Sequence, residues 1–398
     1  MKLSQRVSKI KPSATLEITA LAKKLKSEGK DIVAFTAGEP DFNTPDFIVK
    51  SAEIALKQGF TKYTPTAGTE ELRRAVAGRF REKNGIECDE KNIVVSSGAK
   101  SSLYHAVSAL INEGDEVVIP CPYWVTYTEQ VELCGGVPVL VKTTAENGYK
   151  MTAGQLERAI TDKTRCLIIN SPCNPTGAVY TRDELKSIAE VCEKRAIDVI
   201  SDEIYENLVF GDRVHVSFAT LSDYAKAHTI TVNGVSKSYA MTGWRIGYLC
   251  APAEVAKAIS AMQGHTTSNA CSISQFASVA AIEQGDEFIR EMHAEFERRK
   301  NVLVQNLTGV EGLEFCVPDG AFYLFADVSA FYGRGYKGEI ISDSQSFARA
   351  LLDFGVAVIP GAAFGDDNCV RLSYSLCSDD IIRGTEKIKA FLYGLQKN

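Results

Sequence analysis

Between Asn92 and Pro252 short apolar runs alternate with amphipathic segments, and that alternation leaves few folds open. Strands joined by crossover helices produce it. A strand covered by helices on both faces reads as a continuous Val/Ile-rich run, whereas a half-exposed strand alternates apolar with polar. The runs at 93–95, 116–120, 137–141, 166–170, 198–202, 229–233 and 245–250 are of the continuous kind. They predict an α/β fold built on a largely parallel, seven-stranded sheet. Two connecting helices mark their own starts with capping boxes, Thr152 with Gln155 and Thr181 with Glu184. After Ser272 a long helical pattern runs to about Leu307, followed by short strands near 321–326, 356–359 and 370–374, with a helix at 346–353 between the first two. This predicts a second, smaller α+β domain. The first forty residues, helical over 15–27, are too few for a core of their own and are expected to pack against that domain or a partner subunit. The expected division is an arm and part of the small domain at 1–45, a large domain at 46–290 and the small domain at 291–398.

Composition and motif spacing remove several functions. The 44 basic and 50 acidic residues leave a net charge of -6 with no long Lys/Arg cluster, which argues against nucleic acid. No apolar stretch approaches the roughly 20 residues needed to cross a bilayer, so no membrane association is expected. Met1 to Ile10 has no apolar signal-peptide core, and the expected location is cytoplasmic. The eleven cysteines contain no C-x-x-C pair and sit partly in apolar runs, as small hydrophobic filling in a reducing compartment. The five histidines show no ligand spacing, so no metal is expected, and no G-x-S-x-G elbow occurs. Gly333-Arg-Gly-Tyr-Lys-Gly338 matches a dinucleotide fingerprint by letters alone. Its acidic residue, Asp353, would have to end a strand and instead ends a helix, so the segment reads as a surface loop.

The chemistry-bearing residues gather at the C-terminal ends of the predicted strands, where open α/β sheets bind ligands. The first strand runs into Ser96-Ser97-Gly98-Ala99-Lys100 and a helix, a turn whose amides suit a phosphate and suit an ordinary strand-to-helix turn equally. The 198–202 strand ends with Asp202 near Tyr205, and the 229–233 strand delivers Ser236 and Lys237, with Arg245 eight residues on. A lysine so placed can act as an amine nucleophile when burial and neighbouring cations lower its pKa.

Gly38-Glu39-Pro40-Asp41, Tyr63 with Ala67-Gly68, Pro122-Tyr123-Trp124, Asn174-Pro175-Thr176-Gly177, Asp202-Glu203-Ile204-Tyr205, Ser236-Lys237, Gly243-Trp244-Arg245-Ile246-Gly247 and Arg371-Leu372-Ser373 follow one another in a single order. The chain thereby resembles a class I aminotransferase of pyridoxal phosphate fold type I, from about Ser13 to the C-terminus. It is most similar to bacterial aspartate aminotransferases of the branch without a second arginine clamp. The resemblance implies pyridoxal 5'-phosphate, held covalently by Lys237, which also moves the substrate proton. Asp202 is implied as partner of the pyridine nitrogen, supported by Tyr127. Asn174 and Tyr205 are implied at the ring oxygen and Trp124 stacked on the ring. For the phosphate it implies Gly98, Ala99, Lys100, Ser236 and Arg245, with Tyr63 from the other subunit of a homodimer that shares its active sites. Arg371 is implied as the grip on the substrate carboxylate, assisted by Gly38, Asn174 and Trp124. Position 234 is glycine where many members of the family carry a serine. Cis peptide bonds are implied at Cys121-Pro122 and Asn174-Pro175.

With no distal arginine, the resemblance implies that Lys100, Ser13 and Thr15 recognise the substrate side chain. A single ammonium is less directional than a guanidinium fork, so more than one side chain is tolerable. The expected reaction is transamination between L-aspartate and 2-oxoglutarate, with prephenate or an aromatic amino acid as further substrates. The alternatives are an aminotransferase for aromatic or other amino acids and a β-lyase of the same fold. A regulatory protein would need an appended nucleic-acid-binding domain, and a degenerate scaffold would have lost charged positions that are intact here.

Overall fold

The computed structural model describes residues 3–8, 10 and 14–395. Its centre is a seven-stranded sheet of β1 (Ile93–Ser96), β2 (Glu116–Cys121), β3 (Val137–Lys142), β4 (Thr164–Asn170), β5 (Asp198–Asp202), β6 (Thr229–Gly234) and β7 (Gly247–Cys250), in the order β1-β7-β6-β5-β4-β2-β3. All neighbours pair in parallel except β7, which is antiparallel to both β1 and β6. Helices cover both faces, which is why the central strands are apolar throughout. Val117, Ile168, Ile200 and Val232 pack with Leu103, Val107 and Ile259 on one side. Val118, Leu167, Ile169 and Val199 pack with Leu185, Ile188 and Cys192 on the other. Both capping boxes form, at Thr152 and Thr181.

A second core surrounds a four-stranded antiparallel sheet of Glu314–Phe315, Tyr323–Asp327, Ile359–Pro360 and Cys369–Ser373. Helices Asp286–Leu307, Ser344–Asp353 and Ser378–Gly394 contribute Phe296, Phe347 and Phe391 to it. The N-terminal segment joins this core: Val33–Ala34 pairs in parallel with Val356–Ala357, Val33 and Phe35 are fully buried, and Ala22 of the helix Ala14–Ser27 packs with Ala357. The helical run expected from Ser272 to Leu307 is two helices, Ser272–Gln284 and Asp286–Leu307. Gly285 between them leaves the helical conformation at φ -84, ψ 3, and Asp286 and Glu287 then begin a new helix with acidic residues at its positive end. The Gly333–Gly338 segment lies on the surface, where the hairpin of Gly335–Tyr336 and Glu339–Ile340 turns through Lys337 and Gly338 at positive φ.

Candidate active site

Sheet topology decides where the chemistry can be. Strands β1, β2, β4, β5 and β6 end at one edge of the sheet, so the turns after them meet there. Strand β7 runs the other way and starts at that edge, with Gly247 opposite Ser96 of β1 and Gly234 of β6. Arg245, two residues ahead of Gly247, is thereby brought between the turns that carry Gly98 and Lys237. A cleft of about 550 Å³ opens there, between the large sheet and the antiparallel one.

Lys237 stands on the four-residue helix Val235–Ser238 and donates from Nζ to the carbonyl of Gly38 at 2.5 Å. Burial pushes its pKa down to about 8; Arg245 and Arg371 push the same way, against Glu39 and Asp202. At neutral pH an appreciable fraction of such an amine is unprotonated, as a nucleophile requires. Asp202, at the end of β5, is buried and accepts from Tyr127 Oη at 2.7 Å and from the Ile204 amide at 3.2 Å. Burial pushes its carboxyl up to about 6, with the hydrogen bonds from Tyr127 and Ile204 opposing. A cation placed beside it would hold it ionised.

Arg371 enters from the antiparallel sheet and is almost wholly buried. Its Nη1 donates to Asn174 Oδ1 at 3.0 Å and its Nη2 to the Thr36 carbonyl at 3.2 Å, while Nε is buried without a hydrogen-bond partner. An orphaned guanidinium N–H in a dry wall is a costly donor that a carboxylate would satisfy. Tyr205 donates to or accepts from Tyr323 across 2.8 Å.

The turn after β1 opens the helix Ala99–Leu110. Gly98 holds φ +86, and a side chain there would collide with the Arg245 guanidinium. Arg245 itself has φ +58, which is unusual for a residue with a side chain. It donates to the carbonyls of Thr242 at 2.9 Å and Ser97 at 3.5 Å. Lys100 lies 5.0 Å from the Trp124 ring centroid, and burial, then Arg245, lowers its pKa. Trp124 meets Tyr127 edge to face at 5.5 Å.

Thirteen of the residues given a role in the sequence line this one cleft: Thr15, Gly38, Ala99, Lys100, Trp124, Tyr127, Asn174, Asp202, Tyr205, Ser236, Lys237, Arg245 and Arg371. Gly98 lies beneath, against Arg245. Tyr63 does not line it and is 91% exposed. Ser13 lies outside the described residues. The peptide bonds at Cys121-Pro122 and Asn174-Pro175 are cis, and so is Ser171-Pro172, which the sequence did not single out. Sequence reasoning also missed Thr36 and Tyr323 in the cleft wall. No local motif marks either of them; only the pairing of distant strands brings them in.

The donor set fits pyridoxal phosphate. A lysine of depressed pKa suits its carbonyl, a buried carboxylate its ring nitrogen, and helix N-terminal amides with a guanidinium its dianionic tail.

The family described as aminotransferase class I and II matches residues 30–388. The chain is 45% identical to the aspartate aminotransferase of Bacillus subtilis (strain 168) over 98% of its own length and 99% of that protein. It is also 45% identical to a probable aspartate/prephenate aminotransferase of Aquifex aeolicus (strain VF5), over 98% of each. Among solved structures, the aspartate aminotransferase of Thermus thermophilus with maleate superimposes with a TM-score of 0.93 at 40% identity, over 98% of this chain and 100% of that one. That of Rhizobium meliloti gives 0.95 at 40% identity over the whole of both chains. The chain therefore belongs to the class I and II aminotransferases, and it is an enzyme whose cofactor is pyridoxal phosphate.

Proposed function

We propose that this enzyme transfers the amino group of L-aspartate to 2-oxoglutarate, giving oxaloacetate and L-glutamate, with prephenate or an aromatic amino acid as additional partners. The observation that carries the reading is the position of Lys237, an amine titrating near 8, in the same cleft as buried Asp202 and as Arg371 with its unpartnered Nε. Bound pyridoxal phosphate supplies an electron sink for the carbanion left when the substrate loses its α-proton. Lys237 would hold the cofactor through its amine and, once displaced, carry that proton. Asp202 would keep the ring nitrogen protonated, and Tyr127 would keep Asp202 aimed. Asn174 and Tyr205 would face the ring oxygen and Trp124 the ring. Gly98, Ala99, Lys100, Ser236 and Arg245 would bind the phosphate. Arg371 would take the α-carboxylate, with Gly38 and Asn174 beside it. Lys100 and Thr15, with Ser13, would face the side-chain carboxylate.

The same reading makes the enzyme a homodimer in which Tyr63, exposed here, reaches the partner's phosphate. Val49, Ile54 and Leu56 expose further apolar surface on the helix Asp46–Lys57. It divides the chain into an arm at 1–45, a cofactor-binding domain at 46–290 and a small domain at 291–398. It also places the protein in the cytoplasm, a reducing compartment in keeping with eleven cysteines that form no disulfide. No helix among the described residues is long and apolar enough to cross a membrane.

Incubation of the loaded enzyme with aspartate alone tests the activity. Absorbance should pass to that of the amine form of the cofactor, with stoichiometric oxaloacetate. Release of pyruvate and ammonia from an amino acid that carries a β leaving group, such as L-cystathionine, with no oxaloacetate from aspartate, would instead make the enzyme a β-lyase. Lys237→Ala should lose covalent cofactor attachment and turnover together.

A further inference from the structure

We propose that Tyr323 is a positioning residue that sets the Tyr205 hydroxyl and the Arg371 guanidinium at once, through its own hydroxyl and its ring face respectively. The inference rests on the roles given above to Tyr205 and Arg371.

Strand register puts the three groups together. Strands Tyr323–Asp327 and Cys369–Ser373 are antiparallel, with Tyr323 opposite Ser373 and Phe325 opposite Arg371. Arg371 is thus the diagonal neighbour of Tyr323 on the same sheet face, within reach for an aromatic and a long side chain. Its Cζ lies 4.4 Å from the Tyr323 ring centroid, with the Phe364 ring 5.0 Å away. A guanidinium covered on its face keeps its N–H groups free in its own plane. There Asn174 and Thr36 take two of them and Nε is left over.

The other end of Tyr323 meets Tyr205. Their hydroxyls are 2.8 Å apart and their rings are edge to face at 85°. One hydrogen serves that bond. If Tyr205 supplied it, nothing would remain on Tyr205 for an acceptor in the cleft. If Tyr323 supplies it, the Tyr205 hydrogen stays available. Burial raises the pKa of both phenols and Arg371 lowers both, but the guanidinium is stacked on the Tyr323 ring, 4.4 Å from its centroid, which favours Tyr323 as the donor. The other charged groups that face the pair are Asp202, towards Tyr205, and Glu39, towards Tyr323.

Tyr323→Phe removes the hydroxyl and keeps the ring, whereas Tyr323→Leu removes both. The measurement is the pH titration of the visible absorption of the pyridoxal-phosphate-loaded enzyme, in wild type, Tyr205→Phe, Tyr323→Phe and the double variant. A phenol donating to the ring oxygen favours the deprotonated form of the bound chromophore. Losing the support of Tyr323 should therefore raise the midpoint by about half to one pH unit, the worth of one hydrogen bond. The double variant should match Tyr205→Phe alone. KM for aspartate should stay within about twofold in Tyr323→Phe and rise about tenfold in Tyr323→Leu, where the guanidinium loses its stacking partner. A midpoint that moves in Tyr205→Phe but not in Tyr323→Phe would overturn the inference, as would additive shifts in the double variant or an unchanged KM in Tyr323→Leu. No movement in Tyr205→Phe would instead overturn the role given to Tyr205 and leave Tyr323 nothing to position.

Discussion

At the scale of single residues, the cleft holds groups in states they would not choose in water. A carboxyl that titrates near 6 when folded, against 3.8 ordinarily, binds its proton more tightly in the native state. Asp202 thus contributes nothing adverse at pH below about 4, and its cost to folding grows as pH rises to about 6 and is complete above that. The difference corresponds to roughly 3 kcal/mol. Asp202→Asn should therefore raise the Tm of the cofactor-free chain by a few degrees at pH 7 and hardly at all at pH 4, while pyridoxal phosphate binds more weakly. Scanning calorimetry at the two pH values, paired with a cofactor titration, checks both halves; a variant less stable than wild type at pH 7 would contradict the argument. Lys100 is the residue on which the proposed side-chain selection turns. Loss of one charge-assisted hydrogen bond is worth about 10- to 100-fold, so Lys100→Ala should raise KM for aspartate by that factor and for a neutral amino acid far less. Equal effects in an amino-donor panel would remove Lys100 from recognition.

At the scale of elements, the strand-to-turn junctions do the placing. Strand β7 is the one that runs against its neighbours, and its reversal puts Arg245 at the edge where the six other strands end. That close approach depends on Gly98, because any side chain there meets the guanidinium. Gly98→Ala should accordingly weaken cofactor binding by more than about tenfold. Its far-UV circular dichroism should stay that of wild type, since the turn lies outside the packed cores; unchanged affinity would show that the turn can relax. The break at Gly285 is a lesson at the same scale. Apolar periodicity continues across it, so the pattern from Ser272 onward does not reveal where one helix stops, whereas the backbone there is no longer helical.

At the scale of the whole molecule, the cleft lies between two cores, and the N-terminal segment belongs to the second of them although more than three hundred residues separate it from its partner strand. Val33 pairs with Val356 because a short apolar stretch must bury itself on whatever edge is open. Tyr63, 91% exposed and away from its own cleft, is the residue that the proposed dimer would carry to the cleft of a second copy. Sedimentation equilibrium of the active enzyme should give the mass of two chains, and full activity in a monomeric species would contradict the shared site.

What could be read from the residues alone was whatever depends on neighbours along the chain. The seven apolar runs, the capping boxes at Thr152 and Thr181, and the order of motifs from Gly38 to Arg371 are local signals, because burial on both faces and helix capping each leave a mark within a few residues. The family and its cofactor were legible for the same reason. Tyr323 was not, since nothing around Gly320-Ala-Phe-Tyr323 distinguishes a core tyrosine from one whose hydroxyl meets Tyr205 and whose ring meets Arg371. Nor was the orphaned Nε of Arg371, or the fall of the Lys237 pKa to about 8. Those properties come from desolvation and from strand register across long separations in the chain, and such quantities exist only once distant segments have packed.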